Sequence, residues 1–290
     1  EVHNFGKTIA NAFKIKADRV LGLSATHTRW WDDEGTAKLE GYFGKAIYEF
    51  DIQDGINNNF LCHYDYFINF VYMTEIEQGD YRKLTNDIGF YSSKIQTTAG
   101  AEKAKFESLR SIALNERAKI LRKADNKPLI VEEILNDHFT SQTEKAIVFC
   151  EDTEQVGKIE EILKKQNKIY NVFHSGLSPA QQNSALIEFK NSKTSRFLLG
   201  INMLDEGLDI PNSDKCIIVA STTNPRQFIQ RRGRVLRKST DFPDKHALIY
   251  DTIVVPDYSV PSGELSDAQE TEAVQMGKIL SKEISRVIQL

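Results

Sequence analysis

Cysteine is scarce. The chain has three in 290 residues, Cys62, Cys150 and Cys216, and none stands in a CxxC pair. Free thiols in a reducing compartment are therefore expected, and a metal site is not. No apolar run reaches the ~20 residues of a membrane-spanning helix, and no signal peptide is visible. An excess of one charge is also missing. Lys and Arg number 37 against 41 Asp and Glu, a formal net charge of −4. With no global basic field, contact with a polyanion must come from a local patch and from backbone amides. A GxGxxG turn is absent, which argues against an α/β enzyme that binds a nucleotide or methyl donor. No internal repeat or low-complexity segment stands out. What is present, 40% apolar and 27% charged residues, fits a soluble globular protein long enough for two domains.

Residues 1–50 suggest a short α/β piece. Helical character spans 7–16 and 35–43, with strands expected over the buried-looking run 19–25 (RVLGLSA) and over 45–50 (KAIYEF). Two strands and two helices are too few to close a core alone. Residues 51–140 form a more polar lead-in. A short helix near 51–59 ends in three asparagines, 62–73 has strand character, and the rest is mainly helical. Lys and Arg alternate with Glu over 103–123, which suggests a solvated face.

Residues 141–253 have the clearest pattern. Strands are expected at 145–150, 169–174, 196–201, 215–220 and 246–253, alternating with capped helices. Asp152 and Gln155 resemble a capping box. Ser178, Pro179 and Gln181 supply an N-cap, a first-turn proline and its partner. Strands alternating with helices imply a parallel sheet covered on both faces, which binds ligands beyond the carboxyl ends of its strands. The loops after Cys150, His174, Ile201 and Ala220 are thus the candidate site. Residues 254–290 hold a linker and a helix over about 267–287.

The chemistry concentrates in Gln230-Arg231-Arg232-Gly233-Arg234-Val235-Leu236-Arg237. On a helix, Gln230, Arg234 and Arg237 share one face at i, i+4 and i+7. Phe228, Val235 and Leu236 fall on another, which can enter a core. Two guanidiniums and an amide on one face can bind phosphate, although an isolated basic octet is more often a solvated helix. Upstream, Gly207 and Asp209 stand in a Gly/Asp/Pro loop, which by itself is an ordinary turn. The Ser24-Ala25-Thr26, His174-Ser175-Gly176 and Thr222-Thr223-Asn224 segments could each simply end a strand or cap a helix.

Together, in this order, these segments resemble superfamily 2 helicases and translocases of the DExH type. Ser24–Thr26 resembles motif III, Ala146–Cys150 motif IV, Gly200–Pro211 motif V and Gln230–Arg237 motif VI. The last is similar to the XPB-like branch and to type I and III restriction subunits, and the resemblance spans roughly residues 1–255. It implies a complete second RecA-like lobe, a parallel sheet flanked by helices, at 141–253. It also implies the end of a first RecA-like lobe at 1–50, an inter-lobe link at 51–140 and a helical tail at 254–290. Glu1-Val2-His3 looks like the end of a DExH box. The GxxxxGK[ST] loop is not found; Gly6-Lys7-Thr8 lacks the first glycine. A fragment of a longer protein is therefore expected, inactive alone, with ATP and Mg²⁺ as cofactors of the intact enzyme and no metal ligand here.

The resemblance makes Arg234 and Arg237 arginine fingers, with Gln230 on the γ-phosphate side and Arg231 bracing the helix. Glu1 would position the attacking water. Gly207 and Asp209 would line the nucleotide cleft near the sugar, and Ser24 and Thr26 would couple nucleotide state to lobe movement. Gly176, Asn202 and Thr222 would touch nucleic-acid phosphates through backbone N–H or hydroxyl groups. DNA is expected over RNA, in the cytoplasm or on a nucleoid, and subunits of a restriction, defence or repair complex are possible partners. The competing class is a RecA-like module that grips nucleic acid or a partner without hydrolysing ATP.

Overall fold

The computed structural model describes residues 9–24, 33–141, 144–194, 196–201, 213–220, 233, 235–238, 244–255, 274, 277 and 281. Their strands are β1 (Tyr64–Tyr72), β2 (Lys145–Cys150), β3 (Ile169–Phe173), β4 (Arg196–Ile201), β5 (Lys215–Ile218) and β6 (Ala247–Val255). They form one sheet in the order β1-β6-β5-β2-β4-β3, and every pairing is parallel.

The helices are α1 (Asp33–Phe43), α2 (Ile52–Asn57), α3 (Glu75–Thr97), α4 (Gly100–Lys123), α5 (Lys127–His138), α6 (Thr153–Lys165) and α7 (Pro179–Asn191). Local chemistry sets their starts. Asp51, Thr74 and Ser178 each close a reciprocal capping box, satisfying amides that the first turn leaves open. Asp152 caps α6 by accepting from the Gln155 amide. The Gln155 side chain departs from the expected box: it accepts from the Glu151 amide and donates to the Arg122 carbonyl. The pull comes from burial, since Gln155 is 3% exposed and both of its polar ends need partners.

Both faces of the sheet are covered, as βαβ connections require. On one face, Val131, Ile134 and Leu135 of α5 and Val156, Ile159 and Leu163 of α6 pack on Val148, Leu199 and Ile217. On the other, Phe189 of α7, Cys62, Val235 and Leu236 pack on Phe149, Leu198, Cys216 and Ile249. After an opening lysine, the central strands β2 and β5 are accordingly continuous apolar runs, buried on both sides. Truncating one such Leu or Ile to Ala costs about 2–5 kcal/mol. All three cysteines are buried free thiols.

Strand β1 lies within this sheet, paired along its whole length with β6. From it the chain enters the antiparallel pair α3 and α4. That pair is largely solvated: α3 buries no residue and α4 only Ala113. The base of the pair is clamped to the loop after β2. Arg122 pairs with Glu151 at 2.7 Å, Lys123 with Asp152 at 2.8 Å and also with Glu154.

Two expected strands do not form. Residues 19–24 and 45–50 are irregular, with Leu21, Leu23 and Ile47 exposed at 74%, 88% and 92%. An extended run becomes a strand only where a neighbour takes its N–H and C=O groups, and among the described residues no strand pairs with either run. A 3-10 helix, Ile9–Lys14, stands in place of the longer helix expected at 7–16. In the expected C-terminal helix, Val274, Gly277 and Ser281 are helical and exposed; the rest lies outside the described residues.

Candidate functional site

Parallel strands bring the ends of β2, β3, β4 and β5 to one edge, where the loops after Cys150, His174, Ile201 and Ala220 begin. Two of these loops are described in full. After β2, Glu151 and Asp152 are engaged by Arg122 and Lys123. Burial raises the Asp152 carboxyl, but the Lys123 ammonium and the Gln155 amide outweigh it and hold the group below its ordinary value of 3.8.

After β3, the chain turns sharply. The Leu177 amide donates to the His174 carbonyl at 3.1 Å. The Gln182 side chain reaches back from α7 and donates to the carbonyls of His174 and Leu177 at 3.1 and 3.0 Å. The Gly176 amide donates to Nδ1 of His174 at 3.1 Å. A Cβ on Gly176 would stand 3.0 Å from that ring, so a larger residue there would require the imidazole to shift by a few tenths of an ångström. The Gly176 N–H, expected to face a phosphate, is thus engaged inside the turn.

The end of β5 is fixed from below. Lys127, 1% exposed, donates its ammonium to the Val219 carbonyl. The Thr252 hydroxyl donates to the carbonyls of Ile218 and Val219 at 3.0 and 2.9 Å. This supports the base of the loop that carries Thr222. Nothing in the periodicity marked Lys127 as buried, because a lysine next to a proline at a helix start reads as surface.

In the arginine segment, Gly233 and Val235 are helical, and Val235 and Leu236 are fully buried as expected. The helical face expected to extend through Arg237 stops short of it. Leu236 is in a turn, and Arg237 forms an isolated antiparallel bridge with Leu61. The physical reason is a better partner: the Cys62 amide takes the Leu236 carbonyl at 2.9 Å. Lys245 donates to the Arg237 carbonyl at 3.1 Å. Burial pushes the Lys245 ammonium down and the Cys62 thiol up.

These contacts locate Arg237. Cys62 and Lys245 both lie two residues before a strand, at the amino ends of β1 and β6. Arg237 therefore sits at the amino edge of the sheet, whereas Gly176 sits at the carboxyl edge. Ser24 is exposed in the irregular stretch 19–24. Glu1, Thr26, Asn202, Gly207, Asp209, Thr222, Gln230, Arg231 and Arg234 lie outside the described residues. Among the described residues no group of three His, Cys, Asp or Glu could hold a metal ion, and no helix is long and apolar enough to cross a membrane.

Residues 126–239 match the helicase conserved C-terminal domain. Over 247 residues the chain is 26% identical to the DNA 3'-5' translocase XPB2 of Sulfurisphaera tokodaii, an alignment covering 80% of this chain and 52% of that protein. Over 97 residues it is 31% identical to the ATP-dependent RNA helicase dbp8 of Aspergillus oryzae, covering 33% of this chain and 22% of that one. The chain thus spans about half the length of XPB2 and less of dbp8. A solved structure of the Sulfolobus solfataricus SWI2/SNF2 ATPase core in complex with dsDNA is similar at 15% identity and a TM-score of 0.46, over 77% of this chain and 47% of that one.

Proposed function

We propose that this superfamily 2 helicase C-terminal domain is the second lobe of an ATP-dependent helicase or translocase, acting on DNA rather than RNA. The observation that carries the reading is the domain match at 126–239. It falls on β2 to β5 and on the arginine segment packed against their sheet. The preference for DNA rests on the DNA translocase XPB2, which aligns with 80% of the chain against 33% for the RNA helicase dbp8.

In this reading ATP and Mg²⁺ lie between this lobe and one that carries the phosphate-binding loop. When bound, ATP supplies the phosphoryl group whose charge must be stabilised during transfer. Planar guanidinium and amide donors suit a polyphosphate. Arg234 and Arg237 would stabilise that charge, Gln230 would bind on the γ-phosphate side, and Arg231 would brace the helix. Gly207 and Asp209 would border the ribose, and Ser24 and Thr26 would transmit lobe movement. Glu1 would orient the attacking water. Mg²⁺ is assigned to no residue of this chain. Asn202, Thr222 and the Gly176 turn would follow the strand through its phosphates, a contact blind to base sequence. The enzyme would work in the cytoplasm, within a restriction, defence or repair complex.

The test is ATP hydrolysis by the full-length protein, with and without single- and double-stranded DNA and RNA, beside the 290-residue chain. Hydrolysis stimulated by DNA in the former and none in the latter is expected. Hydrolysis indifferent to any nucleic acid would overturn the reading in favour of a module that grips without a motor.

A further inference from the structure

The turn after β3 has a feature that the Gly176 assignment leaves unused. Because Nδ1 of His174 accepts the Gly176 N–H, the ring is neutral in this geometry and carries its proton on Nε2. Several other polar groups of the turn are engaged within it. The carbonyls of His174 and Leu177 are taken by Gln182. The Ser178 amide and hydroxyl are taken by Gln181, whose own amide donates to Ser178. Pro179, the first residue of α7, has no N–H. The half-buried His174 ring keeps one N–H donor of fixed identity, Nε2–H, next to the exposed Ser175 at the carboxyl edge of β3.

We infer that His174 is a nucleic-acid contact in its own right, presenting Nε2–H to a phosphodiester oxygen, with the Gly176 amide serving to lock the tautomer. The inference rests on the nucleic-acid reading proposed above and changes which atom of this loop makes the contact. The Gly176 backbone acts through the ring, not on the phosphate. The donor is neutral, so it adds a hydrogen bond to a charged acceptor without displacing a counterion.

Two substitutions separate the ring's two nitrogens. His174→Asn keeps an acceptor near the Nδ1 position and loses the distal donor. His174→Gln places an amide N–H near the Nε2 position and gives up the Gly176 acceptor. The full-length protein and both variants are titrated against a short labelled DNA, single- and double-stranded, by fluorescence anisotropy over a range of salt. Thermal melts check that the variants fold.

His174→Asn is expected to raise Kd about 10-fold with the slope of log Kd against log salt unchanged. His174→Gln is expected to recover most of the loss. Binding by His174→Asn equal to the wild type would sink the inference while leaving the functional reading intact, since the residue would then only shape the turn. A salt slope that falls by the ~0.7–0.9 of one lost cationic contact would also overturn it, by making the donor an imidazolium. Absence of DNA binding by the wild type would remove the functional reading and this inference together.

Discussion

The Cys62 amide donates to the Leu236 carbonyl at 2.9 Å. This bond ties the chain just ahead of β1 to the end of the arginine segment, across 173 intervening positions. Val235 is helical, whereas Leu236, whose carbonyl is occupied from outside, is in a turn, so Arg237 lies beyond the helix. The side chains of Cys62 and Leu236 are fully buried in one cluster. Leu236→Ala is expected to cost about 2–5 kcal/mol and to lower the urea midpoint of this lobe. A midpoint within error of the wild type would mean that the cluster is not what holds the segment.

A second support for that dock lies in α2. A Cβ on Gly55 would come within 2.7 and 2.9 Å of the Leu61 side chain, and the Gly55 carbonyl already accepts the amides of Phe60 and Leu61 at 2.9 and 3.0 Å. Gly55→Ala should displace Leu61 from its bridge to Arg237 at a cost of about 1–3 kcal/mol. Hydrogen exchange at the Cys62 amide reads the change directly. Faster exchange is expected, and unchanged protection would show that Leu61 rearranges at no cost.

The clamp at the base of α3 and α4 should weaken in acid. The Asp152 carboxyl is held below 3.8 in the folded protein, so the unfolded state binds its proton first as pH falls. The contribution is complete above 3.8 and is lost as pH drops through the lower folded value. Exchange protection at the corner between α4 and α5 should fall in that window. In Asp152→Asn the N-cap is retained, the charge is gone, and the loss should already be present at neutral pH. An Asn variant with the wild-type acid profile would argue against the clamp.

Arg234→Ala in the full-length protein is expected to reduce DNA-stimulated ATP hydrolysis on the order of 10³-fold, the lower end of the arginine-finger range, with the melting temperature unchanged. Arg237→Ala beside it asks whether a residue at the amino edge of the sheet acts on the same step. Near-normal turnover in Arg234→Ala would remove that residue from the transition state.

The amino-acid sequence by itself determined the elements whose signals are local. The runs at 145–150 and 196–201 became strands with those limits. Ser178, Pro179 and Gln181 formed the cap that their spacing implied, and Val235 and Leu236 entered the core. Hydrophobic runs and caps depend on neighbours within a few positions, so they are legible in one dimension. The tertiary structure decided what depends on partners far away in the chain. It paired 64–72 with 247–255, and left 19–24 and 45–50 irregular. It buried Lys127 under the end of β5 and took Arg237 off the helix through Leu61 and Cys62. It also committed the Gly176 amide to the imidazole two residues before it. In each case a backbone or side-chain polar group was satisfied by whichever partner the fold brought near, and that proximity is not written in spacing.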